Sequence, residues 1–151
     1  NAGPWNDTAP TSTVFTVGAD GWTNSAGTYV AYLFRSIQGY SKVGAYTGFG
    51  STDGPFIYTG FRPRYILGKS SNASYNWFTH DTARDVDNPT ISRLFSDSSG
   101  AENSSEAEST YGIDFLSNGF KIRASHVTTG SSAAYIYWAF AEMPFKYANA
   151  R

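Results

Sequence analysis

Apolar residues in this chain come in short runs rich in Tyr, Phe, Ile and Val, each closed off by turn-forming residues. Such side chains favour a pleated, half-buried surface. The Ser, Thr, Gly and Asn scattered among them compete with helix formation, through local backbone bonding or conformational entropy. Nine runs read as strands: Thr13 to Val17, Thr28 to Ile37, Ser41 to Thr47, Pro55 to Thr59, Arg64 to Leu67, Tyr75 to Thr79, Gly112 to Leu116, Gly119 to Arg123 and Ala133 to Ala141. Turn signals such as Asp53-Gly54, Asn88-Pro89 and Asn118-Gly119 separate them. This pattern predicts an all-β chain with little or no helix, an antiparallel β-sandwich of jelly-roll or lectin-like type. Ser98 to Thr110 is polar, carries Glu102, Glu106 and Glu108, and reads as an exposed loop, with a short helix over 101–108 as the alternative.

Composition then excludes several classes of function. The chain has 151 residues, enough for one domain or one plus a fragment of a second. It has no cysteine, so it carries no disulfide scaffold, thiol nucleophile or thiolate metal site. A net charge of −1 argues against a surface for nucleic acid or anionic lipid. No apolar run approaches the roughly 20 residues that span a bilayer, so membrane insertion is not expected. The one methionine is Met143, and a longer parent protein is expected.

Two segments resemble each other at an offset of 106 residues: Tyr29-Val30-Ala31-Tyr32-Leu33-Phe34 and Tyr135-Ile136-Tyr137-Trp138-Ala139-Phe140. Each follows a matching strand, Val14 to Val17 in one case and Gly119 to Ile122 in the other. A hairpin thus occurs twice. Residues 1–39 read as the closing hairpin of a preceding repeat or as N-terminal strands of the same fold, and residues 40–151 as the sandwich proper. Tyr29, Tyr32, Phe34, Phe115, Phe120, Tyr135, Trp138 and Phe140, in strand interiors, are expected in the core.

Several motifs carry a family resemblance. They include Gly39-Tyr40-Ser41-Lys42-Val43-Gly44, Asp53-Gly54-Pro55-Phe56, Tyr58-Thr59-Gly60-Phe61-Arg62-Pro63, Tyr111 to Lys121 and the terminal Phe145 to Arg151. Over nearly its whole length the chain resembles a module of marine bacteriophage tail-fibre proteins. The resemblance implies a β-sandwich in a virion fibre outside the cell, near its distal end, in a homotrimer that contacts the host surface.

Function would then rest on aromatic rings. Tyr and Trp stack their flat faces on sugar C–H groups while their polar ends reach hydroxyls. Trp22, Tyr40, Tyr46, Phe49, Tyr58, Tyr75 and Trp77 lie near turn signals and are the candidate ligand-binding residues for a host-surface glycan. Arg62 and Arg64 are candidates for an acidic sugar, or else for pairing between subunits. A passive structural, trimerisation or virion decoration module without ligand is the alternative function, and a surface-polysaccharide depolymerase ranks third. Asp85, Asp87 and Asn88 offer oxygens to a calcium ion, but without a recognisable calcium loop. Asp81 and Arg84 read as a structural ion pair. His80 and His126 are the only histidines, no nucleophile elbow is present, and the acidic residues crowd into polar loops. No enzyme activity and no cofactor are expected.

Overall fold

The structure, a computed structural model, describes residues 3–103 and 108–142. It divides into an Asn1–Leu33 unit and a Phe34–Arg151 unit. The terminal Phe145 to Arg151 signature and Glu106 lie outside the described residues.

In the first unit, no described residue belongs to a strand, so the hairpin expected over 13–17 and 28–37 does not form. Turns and loops take its place. Gly18 N–H donates to Pro4 O at 2.8 Å, Asn24 Nδ2 donates to Gly18 O, and Trp5 meets Phe15 edge-on at 6.3 Å. Tyr29 and Tyr32, expected in the core, are 47% and 81% exposed. The physical reason is size: a segment this short buries too little apolar surface to hold a two-stranded hairpin by itself.

The second unit is the sandwich. Its strands are β1 (Ser41–Thr47), β2 (Phe56–Tyr58), β3 (Pro63–Ser70), β4 (Phe78–Asp81), β5 (Leu94–Phe95), β6 (Ile113–Leu116), β7 (Gly119–Ile122) and β8 (Ala134–Ala141). Before β6 comes one helical turn, α1 (Glu108–Tyr111). Two antiparallel sheets result, a larger one in the order β1-β8-β3-β4-β5 and a smaller one in the order β2-β7-β6. The chain is therefore all-β, as its residue pattern predicts. Strand β5 has no counterpart among the nine expected runs, being two residues long with only one of them half-buried.

Alternation along the strands builds the core. Tyr46 of β1, Ile66 of β3, Phe78 of β4, and Tyr135, Tyr137 and Ala139 of β8 face Ile57, Ile113, Phe115, Phe120 and Ile122 of the smaller sheet. Phe120 joins the two layers, edge-on to Tyr137 at 5.2 Å and to Tyr46 at 6.2 Å. Gly68 is required opposite Phe78: a Cβ there would lie 2.3 Å from the ring. Tyr46 is a correction to the expected set of exposed rings. It is 8% exposed, stacks on Tyr135 at 4.9 Å and donates its hydroxyl to Thr129 O at 2.7 Å. Burial pushes its phenol well above the ordinary range, which keeps it protonated as that donor.

The free edge of β6 is covered by the loop between β4 and β5. Thr90 and Ile113 exchange backbone hydrogen bonds at 2.9 and 3.1 Å. Asn88 continues the pairing with its side chain: Nδ2 donates to Phe115 O at 3.0 Å, and Oδ1 accepts from Phe115 N–H at 2.9 Å. An amide side chain thus stands in for a neighbouring strand and closes an edge open to aggregation. Asn88→Ala leaves both Phe115 groups unpaired and is expected to cost about 1–3 kcal/mol. Urea titration checks this, and Asn88→Asp should recover less than half, because a carboxylate accepts from N–H but cannot donate to the carbonyl.

Candidate functional site

Strand β8 reads Ala-Tyr-Ile-Tyr-Trp-Ala-Phe-Ala, apolar at nearly every position. Since side chains alternate between faces, Tyr135, Tyr137, Ala139 and Ala141 enter the core, and Ile136, Trp138 and Phe140 emerge on the outer face. Outer faces of antiparallel sandwiches are ordinarily polar. This one is not.

The register extends the row sideways. Trp138 lies between Val43 of β1 and Leu67 of β3, and Phe140 lies beside Tyr65 of β3. Trp77, just ahead of β4, has its ring 5.4 Å from Trp138, and Asp97 Oδ1 anchors its backbone N–H at 3.1 Å. Phe34 sits edge-on to both Trp138 and Phe140, at 6.0 and 6.1 Å. Tyr40 and Tyr65 approach Phe140 at 6.2 and 6.1 Å. Lys69 extends toward Trp77, its ammonium 5.9 Å from the ring centre and bonded to Tyr75 O at 2.5 Å. Six aromatic rings therefore form one connected, half-buried surface, the kind of exposed apolar patch that marks an interaction site.

Residues 1–144 match the family described as Domain of unknown function (DUF7483). The chain belongs to that family. No curated protein and no solved structure matches it.

In this DUF7483 domain the candidate rings scatter. Tyr40 and Trp77 lie on the outer aromatic surface, while Tyr58 and Phe49 are 64% and 61% exposed elsewhere on the sandwich. Tyr75 lends its carbonyl to Lys69, Trp22 belongs to the first unit, and Tyr46 is buried. Phe34, Trp138 and Phe140, expected in the core, instead make up the middle of the outer surface. Nothing in the local residue pattern separates them from core residues, because both faces of β8 are apolar.

Charged groups are mostly committed to structure. Arg62 pairs with Glu142 at 3.1 Å, while Arg64 is exposed on β3. Arg84 donates from Nε to Asp81 Oδ2 at 2.5 Å and from Nη1 to Glu102, tying the 82–84 turn to the loop after β5. Asp81 also accepts from the N–H groups of Ala83 and Arg84. Of the calcium candidates, Asp85 Oδ2 accepts from Ile91 and Ser92 N–H at 2.7 and 3.0 Å. The Asn88 amide is spent on Phe115, and Asp87 is exposed. Asp85 and Asn88 thus brace the loop. Among the described residues no three His, Asp or Glu side chains gather as metal ligands.

Proposed function

We propose that this domain is a distal module of a phage tail fibre that binds a host-surface glycan through the outer face of its larger sheet, without catalytic turnover. The connected surface of Phe34, Tyr40, Tyr65, Trp77, Trp138 and Phe140 carries this reading. Rings held on β3 and β8 or packed against those strands present flat faces for sugar C–H groups at little entropic cost on binding. The resemblance to phage fibres supports the setting outside the cell and the homotrimer. Three copies acting together raise avidity by about 10² to 10⁴ over one weak site.

The test is binding of host envelope polysaccharide by Trp77→Ala and Trp138→Ala variants. Each is expected to weaken binding about tenfold, a loss of about 1.4 kcal/mol, with an unchanged circular-dichroism spectrum because both rings lie outside the core. Unchanged affinity in both variants overturns the proposal.

A second reading treats the domain as a passive fibre module whose apolar surface meets other copies. Val30, Tyr32 and Leu33, 75%, 81% and 74% exposed, favour it. Light scattering separates the two. A tight oligomer that dissociates in Trp138→Ala and binds no polysaccharide is the result this reading requires.

A further inference from the structure

A concave feature adjoins the aromatic surface. It is a cleft of about 300 Å³ between the β1 edge of the larger sheet and the end of β2 in the smaller one. The turn before β1 belongs to both features: Gln38 and Gly39 line the cleft, and the next residue, Tyr40, packs on Phe140. Gly39 makes that turn at φ 73°, a conformation that favours glycine, and a Cβ there would meet open space.

The polar groups in the cleft divide into spent and unspent. Ser36 Oγ accepts from Val43 N–H at 3.0 Å, Ser41 Oγ donates to Arg35 O at 2.8 Å, and Thr59 Oγ1 donates to Phe61 O at 2.6 Å. These hydroxyls hold the walls together. The Lys42 ammonium, the Gln38 amide and the Tyr58 hydroxyl have no hydrogen-bond or ion-pair partner among the described residues. Lys42 pairs with Ala139 in register, so it shares the inward side of β1 with buried Tyr46. A lysine turned inward on an edge strand also guards against edge-to-edge pairing. That role accounts for the charge but not for the unspent amide and phenol beside it.

Resting on the glycan-binding reading above, we infer that this cleft receives an anionic sugar residue, a uronate or a sulfated unit of the same glycan. Lys42 pairs with the anion, Gln38 bonds a ring hydroxyl, and the exposed Tyr58 ring supports the sugar face. A chain lying along the aromatic surface reaches the cleft over the turn at Gln38 to Tyr40. The aromatic surface then supplies general affinity for sugars, and the cleft selects for charge. Of the earlier candidates for an acidic sugar, Arg62 is already paired with Glu142, and Arg64 is exposed on β3 and does not line the cleft.

The experiment is calorimetric titration of the whole chain with oligogalacturonate, a sulfated galactan oligosaccharide and an uncharged galactan oligosaccharide. Wild type is expected to bind at least one charged probe about tenfold more tightly than the neutral one, the magnitude of one charge-assisted hydrogen bond. The preferred probe identifies carboxylate or sulfate as the anion. Lys42→Met should remove the preference and leave neutral-probe affinity unchanged, as should screening by about 0.5 M salt. Trp138→Ala should weaken all probes alike. Equal affinity for charged and neutral probes in wild type, or a preference that survives Lys42→Met, overturns the assignment of the cleft alone. No binding of any probe overturns the cleft and the glycan reading together.

Discussion

Phe120→Ala is expected to destabilise the sandwich by about 3–5 kcal/mol, the range for emptying a fully buried aromatic site. The ring is wholly inaccessible and is the piece of the smaller sheet that meets both Tyr46 and Tyr137 of the larger one. Its removal leaves a cavity between layers whose neighbours cannot easily close in. On one side Gly44 lies so close to Tyr137 that a Cβ would sit 2.8 Å from its hydroxyl, and on the other Tyr46 is held by Thr129. Guanidinium unfolding should show a lower midpoint at unchanged slope. Since whole domains are stable by only about 5–15 kcal/mol, part of the variant should be unfolded at ambient temperature. A loss under about 1 kcal/mol would mean that the two sheets do not pack through this ring.

Acid should destabilise the protein well above the carboxylate range, through His80. Its side chain lies on the inner face of β4, fully buried, with Nδ1 3.3 Å from Thr90 Oγ1 and Nε2 lacking a hydrogen-bond partner among the described residues. Burial, and after it the positive charges of Arg93 and Arg84, pull its pKa from 6.5 to about 3, against the opposing pull of Asp85 and Asp81. The unfolded chain takes up this proton below 6.5, and the folded chain does not until about 3. Stability from this group is therefore complete above that upper value and falls by about 1.4 kcal/mol per pH unit below it. About 3 kcal/mol is gone by roughly pH 4. Asp81 acts in a lower window. Burial raises its carboxyl, but hydrogen bonds from Arg84 and Ala83 outweigh this and hold it below the ordinary range. Its contribution is present above 3.8 and is lost as pH falls through the lower folded value. His80→Gln, uncharged in both states, should show a flatter stability profile between about pH 6.5 and 4. Equal slopes for variant and wild type would contradict the account.

Strand positions were legible because alternating apolar residues and turn clusters act locally. Ser41 to Thr47 coincides with β1, and Arg64 to Leu67 and Ala133 to Ala141 largely overlap β3 and β8. Facing was legible only where small or polar residues broke the apolar pattern. On β8 both faces are apolar, so Trp138 and Phe140 could not be told from Tyr135 and Tyr137 without knowing which sheet lies behind them. Residues 29–34 resemble residues 135–140, which predicts a shared hairpin, yet only the second copy is a strand. A strand needs neighbours, and β8 has β1 and β3 on its two sides. The two edge devices were invisible for a related reason. Asn88 closes β6 and Lys42 lines the cleft through positions relative to distant segments, which no local spacing encodes.

The placement of β8 bears on how the protein acquires its structure. It is the last strand in chain order among the described residues, yet it lies between β1 and β3. Residue 41 pairs with residue 140, and residue 70 with residue 135. On the ribosome, therefore, β1 and β3 are both made long before the strand that joins them, and the larger sheet cannot close until synthesis has passed residue 141. Such long-range pairing puts the domain among proteins that fold in milliseconds to seconds rather than microseconds. During that interval β1, the edge of β3 that does not face β4, and the aromatic core are open to neighbouring nascent chains.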